Sequence, residues 1–138
     1  MTTTLDDDVL DRLIKGQPER ADRFISALAF RLEGYAKDFA PVMYGALKNS
    51  IFTRTSKTDG LSAAIAAALA KNPAVTCGDP TPGTPPLGTA YVAPSVDYAL
   101  WQEIGTSRMA AQPYMTPAVE RTNGDIPELA KGFFDDVG

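Results

Sequence analysis

The stretch that decides the fold is "PERADRFISALAFRLEGYAKDFAP", residues 18–41. Its apolar residues Ala21, Phe24, Ile25, Leu28, Leu32, Tyr35, Ala36 and Phe39 recur in steps of three and four, the spacing that lines one face of an α-helix. Arg20, Arg23, Arg31, Glu33 and Lys37 fall mostly off that stripe. Pro18 suits a first turn, where its missing amide proton costs nothing, and Pro41 disfavours helical geometry in the residue ahead of it. The spacing therefore predicts a helix of about six turns with one apolar face. Such a face needs a partner layer, which the rest of the chain must supply.

Downstream, "SIFTRT" is rich in the branched and aromatic residues that suit a strand, with Gly45 ahead of it as a turn residue. "AVTCG" and "GTAYVAP" are two further strand candidates. A helix is expected from Leu61 to Lys71, although its alanines bury little, and Pro73 closes it. Between the later strand candidates, "GDPTPGTPPLG", residues 78–88, carries four prolines and three glycines, which prevents both helix and ladder and leaves a loop or an extended arm. Tyr98, Trp101 and Gln102 then step at the spacing of a helix of about two turns.

The ends are read the same way. Thr4 with Asp6, Asp7 and Asp8 marks a short N-terminal helix within residues 1–17, its apolar positions Leu5, Val9, Leu10, Leu13 and Ile14. "AQPYM" is a short strand or an extended segment, and Thr116 with Pro117 supplies a cap and a first-turn proline for a C-terminal helix. "NGDIP" is expected to interrupt that helix, leaving residues 125–138 as a final short helix or tail anchored by Phe133 and Phe134. No internal repeat is present.

Composition bounds what such a chain does. At 138 residues it is the size of one domain, and a domain of that length buries roughly two-thirds of its unfolded surface. An apolar fraction of 44% with 22% charged residues excludes a disordered chain. The net charge of -4 gives no general attraction for DNA or anionic membranes. Cys77, the single cysteine, excludes an internal disulfide and reads as a small buried residue in a reducing compartment. "LSAAIAAALA" is about half the length of a membrane span, and the acidic N-terminus is no secretory signal, so no membrane association and a cytoplasmic site of synthesis are expected.

Without histidine the chain lacks the usual general base near neutral pH and the commonest zinc ligand, which removes Ser-His, Cys-His and His-based metal chemistry. The proline loop has no Lys-Ser or Lys-Thr to make it a phosphate loop. Asp6, Asp7 and Asp8 diverge around a helix and read as a solvated helix start before a cation site; Asp135 and Asp136 read as a solvated tail. Lys48, Arg54 and Lys57 could form a small basic patch, but a solvated strand face is the preferred reading. Glu103 and Arg108 flank a tight turn as a structural ion pair, and Trp101 with Tyr98 reads as core or as an interface anchor. No enzyme and no cofactor are expected.

Two stretches resemble a known family. "APVMYGALKNSI", Ala40 to Ile51, resembles the Ala-Pro-Val-Asp-Thr-Gly-x-Leu-x-x-Ser-Ile motif of small neck, or tail-completion, proteins of long-tailed bacteriophages. "YALWQEIGTSRMAAQPYMTPAVE", Tyr98 to Glu120, resembles the family's Tyr-Ala-x-x-x-Glu-x-Gly-Thr-x-x-Met-x-Ala-x-Pro-Phe-x-x-Pro-Ala stretch. The departures are Met43 and Tyr44 for Asp and Thr, Tyr114 for Phe, and the alanine-rich segment and proline loop between the motifs.

The resemblance implies a single α+β domain, its long N-terminal helix packed on a small antiparallel β-sheet, with short additional helices and a Pro/Gly-rich loop. It implies a virion protein forming a homo-oligomeric ring, a hexamer by the tail's symmetry, in the head-tail connector, as either a connector layer or the tail terminator. That ring would join an adjoining connector protein to the tail-tube protein and let double-stranded DNA pass. The residues so marked for interface or structural roles are Pro41, Gly45, Leu47, Ser50, Trp101, Glu103, Gly105, Thr106, Arg108, Met109, Pro113, Tyr114 and Pro117. Gly105 is expected at positive φ, and Asp6, Asp7, Asp8, Asp135 and Asp136 are candidates for a DNA-repelling lumen. The proline arm suits contact with a neighbouring subunit or ring. A small nucleic-acid-binding or packaging accessory protein is the alternative reading.

Overall fold

The computed structural model describes residues 18–41 and 45–134. Over these the order is α1 (Pro18–Phe39), α2 (Gly45–Ser50), β1 (Ile51–Thr55), α3 (Leu61–Lys71), β2 (Ala90–Pro94), α4 (Ala99–Ile104) and α5 (Met115–Phe134). The readings of residues 1–17 and of Asp135 and Asp136 lie outside the described residues, as do Met43 and Tyr44.

α1 runs over the residues its stripe predicts, opening on Pro18 with Glu19 in its first turn and Lys37 in its last, where each charge opposes the helix dipole. It buries Ala21, Phe24, Leu28, Ala29 and Ala36. Phe39, the end of the stripe, is exposed, because the chain turns away at Ala40. The partner layer is twofold. β1 and β2 pair antiparallel from Ile51↔Pro94 to Thr55↔Ala90, and α5 lies along the helix itself.

The α1–α5 contact combines an edge-on ring pair with a polar clasp. Phe24 and Phe133 sit 5.9 Å apart between centroids. Tyr35 donates its hydroxyl hydrogen to Asp125, which also faces Arg31 at 3.4 Å, while the Arg121 guanidinium lies 4.7 Å from the Tyr35 ring centroid. α5 continues through "NGDIP" to Phe134 with Pro127 inside it, contrary to the expected interruption. Packing on α1 outweighs the missing amide, and Asp125 of that segment is itself a clasp residue.

Three more expectations are corrected. Gly45 opens a helix, α2, instead of a turn. "AVTCG" forms no strand: it contributes a single bridge, Cys77↔Val96, framed by Gly78 N–H to Ser95 C=O at 2.9 Å and Asp97 N–H to Thr76 C=O at 3.0 Å. β1 is buried along its whole length, so Arg54 belongs to no solvated face. The core gathers where α1, α2, β1 and the start of α5 meet, around Leu47, Ile51, Val96, Tyr114 and Ala118. Each large apolar side chain buried there contributes on the order of 1.5–3 kcal/mol relative to exposure.

Candidate functional site

The two family-like stretches come together on this core. Pro41 ends the α1 exit half-buried. Leu47 and Ser50 of α2 are inaccessible, and the Ser50 hydroxyl donates to Leu47 C=O at 2.7 Å, closing the helix as the strand begins. Ser50 C=O accepts from both the backbone N–H and the hydroxyl of Ser95, each at 3.0 Å, which fastens the first stretch to the approach of the second.

The second stretch builds a corner between α4 and α5. α4 ends at Gly105, whose φ of 79° is the left-handed region that glycine enters without strain. A Cβ there would lie 2.7 Å from the Ala111 nitrogen and 3.0 Å from Met109 C=O, so the close approach excludes a side chain as firmly as the dihedral does. Thr106 and Met109 then close a turn: Thr106 N–H donates to Met109 C=O at 2.8 Å, and Arg108 N–H to the Thr106 hydroxyl at 3.2 Å. Gln112 N–H returns to Gln102 C=O at 2.8 Å.

Glu103 has a different role from the one the sequence suggests. No ion pair joins it to Arg108 among the described residues, and Arg108 is exposed. The Glu103 carboxylate instead accepts from Tyr114, Met115 and Thr116 N–H at 2.8, 3.0 and 2.9 Å, and from the Thr116 hydroxyl at 2.6 Å. It satisfies the orphan amides that open α5 and sets a negative charge against the positive end of the dipole. Burial raises its pKa, but these four donors outweigh that and hold it below the usual carboxylate range.

Thr116 is therefore a partner of the cap, and the helix starts at Met115, one residue before the expected cap position. Pro117 still falls in its first turn. Pro113 is exposed in the extended approach, and Tyr114 is buried behind it, its hydroxyl donating to Ala99 C=O at 3.3 Å. Burial, and then the charge of Glu103, raise the Tyr114 pKa well above its ordinary value. Met109 is half-buried, with its sulfur 3.9 Å from the Gln102 amide nitrogen.

Beyond the corner, α4 turns a row of apolar side chains to solvent. Leu100, Trp101 and Ile104 are 59%, 50% and 58% exposed. Positions i, i+1 and i+4 fall within about a third of the helix circumference, so they form one ridge. A groove of about 720 Å³ adjoins Leu100 and Ile104 on one side, and a second of about 580 Å³ adjoins Trp101 on the other.

Sequence reading missed a second polar constellation. Arg54, 8% exposed, donates to Asp59 at 3.0 Å and to Asp79 and Thr81 at 2.8 Å each. Buried Asp22 accepts from Ser56 Oγ at 3.0 Å and from Gly88 N–H at 2.8 Å. The proline loop is thus tied to its own domain at both ends. Lys57 pairs with Glu19 at 2.7 Å, so the Lys48, Arg54 and Lys57 patch does not assemble. Among the described residues, no three His, Cys, Asp or Glu side chains are placed to hold a metal ion, and no helix is long and apolar enough to cross a membrane. No protein-family model, curated protein or solved structure matches the chain.

Proposed function

We propose that this chain is a structural subunit of a tailed-phage neck, forming a homo-oligomeric ring that joins the capsid side to the tail tube and lets DNA through. The observation that carries the reading is the Tyr98–Glu120 corner. Its carboxylate, its glycine and its buried tyrosine all serve its shape, and what it offers outward is the ridge of Leu100, Trp101 and Ile104. A contiguous exposed apolar patch next to a rigid turn is the signature of a protein-docking surface. Arg54 is paired with Asp59 and Asp79, which favours this reading over a nucleic-acid-binding role built on Lys48, Arg54 and Lys57.

The test is assembly. Sedimentation velocity and negative-stain microscopy of the purified chain, alone and mixed with portal-side and tail-tube proteins, should show closed rings. A chain that stays monomeric at high concentration and in every mixture would sink the reading.

A further inference from the structure

The two-stranded sheet leaves one edge open. Ser95 N–H donates to Ser50 C=O, and Gly60 N–H reaches Thr53 C=O from the far side of β1. Ladder alternation then puts the bonded pairs at Phe52↔Ala93 and Arg54↔Tyr91, and turns the N–H and C=O groups of Thr53 and Val92 outward. On β1 the turn through Thr58 and Gly60 covers this side, Thr55 N–H donating to Thr58 C=O and Thr53 C=O accepting from Gly60 N–H. On β2, those of Ala90 and Val92 meet no partner among the described residues. Pro94, the next outward position, has no N–H to pair, which proline tolerates only on such an edge.

Along that edge runs a trough of about 480 Å³. Ile25 and Leu32 of α1 and Val119 and Ile126 of α5 are among its walls, and no charged residue lines it. Ladder groups on the floor call for an extended backbone, since a helix has already used its own N–H and C=O groups. The uncharged walls call for uncharged side chains, because a charge placed there is desolvated without a partner.

This chain contains one such segment outside the described residues. Residues 135–138 begin with two carboxylates, and residues 42–44 are too short. "MTTTL", residues 1–5, has no charged side chain, is proline-free and rich in β-branched threonine, and Asp6 ends it. We propose that Thr2–Leu5 of a second copy enters the trough and adds to β2 through Val92 as a third strand. The twelve residues that follow, 6–17, reach up to about 40 Å from Pro18, enough to cross to a neighbour. Donor and acceptor are different surfaces, so the contact is heterologous, and repeated around a closing rotation it forms a ring. The inference rests on the ring reading, and each subunit then holds the next.

Hydrogen exchange over residues 88–95, measured with sedimentation, tests it on the full chain, on Thr3→Asp/Leu5→Asp and on Val92→Pro. In assembled unmodified chain, exchange at Val92 should be at least about tenfold slower than in the diluted monomer, and both variants should lose assembly. Val92→Pro removes an N–H that β1 does not use; should it misfold, the double variant, whose changes lie outside the described residues, still decides. If the double variant assembles like the unmodified chain, the strand addition is wrong while the ring stands. If the unmodified chain stays monomeric, the ring reading fails, and a peptide of residues 1–8 is titrated onto it: unchanged Val92 exchange overturns strand addition, and slowed exchange retains it. Protection that is independent of dilution places the segment on its own chain and overturns the second-copy contact.

Discussion

Gly105 and Glu103 stand two residues apart and hold the α4–α5 corner by different means, one conformational and one electrostatic. Gly105→Ala meets both a positive φ and backbone atoms inside contact distance, so it should destabilise the chain by about 1–3 kcal/mol in urea unfolding. Glu103→Ala strips the start of α5 of its acceptor and should cost about 1–2 kcal/mol, while Glu103→Gln, which keeps one acceptor oxygen, should cost less. The Glu103 pKa is depressed in the folded chain, so its contribution is complete above the unfolded carboxylate range and is lost as pH falls through the folded value. Stability measured across the acid range should accordingly fall less steeply for Glu103→Gln than for the unmodified chain.

At the scale of elements, one feature runs against local propensity and is held by packing, and another is fastened by polar contacts. Pro127 lies in the interior of α5, where it removes an intrahelical bond. Pro127→Ala should therefore raise the unfolding free energy by about 1 kcal/mol or more, read from the denaturation midpoint. The proline loop is shaped by its clamps as much as by its composition, since Arg54 and Asp22 fasten its two ends. Arg54→Ala should release the first end, and limited proteolysis should then cut between residues 78 and 88 faster than in the unmodified chain, with the thermal midpoint lowered. Equal cleavage rates would show that the prolines alone fix the loop.

Across the whole molecule, folding and docking are assigned to different residues of the same stretch. Leu100→Glu and Trp101→Glu touch an exposed ridge, so each should change monomer stability by no more than about 0.5 kcal/mol. The same substitutions should weaken ring formation, which sedimentation velocity reports directly. Acid acts on the fold as a whole. Asp59 is held down by Arg54, Asp79 by the Thr81 hydroxyl and Asp125 by the Tyr35 hydroxyl, all in the same direction as Glu103. All four protect the folded state above the usual carboxylate range and cease to do so as pH drops through their lowered values.

Much of this architecture is legible in the chain before it folds, because it depends on near neighbours. The stripe from Ala21 to Ala36, the prolines that bound α1, the β-branched run of β1 and the left-handed requirement at Gly105 are all set within a few residues. The sequence by itself therefore determined an α+β domain, the places of α1, β1, α3 and β2, and the glycine at the corner. What it could not carry were choices between partners far apart in the chain. Arg108 looks like the natural mate of Glu103, yet the amides of Tyr114, Met115 and Thr116 win it, because α5 delivers three donors together where one mobile guanidinium would have to be ordered. Arg54 reads as surface until the loop folds back with Asp79, and "NGDIP" reads as a break until α1 offers Tyr35 to Asp125. Those assignments belong to tertiary structure, for the energy that decides them comes from groups 11 to 90 residues distant, which no local pattern records.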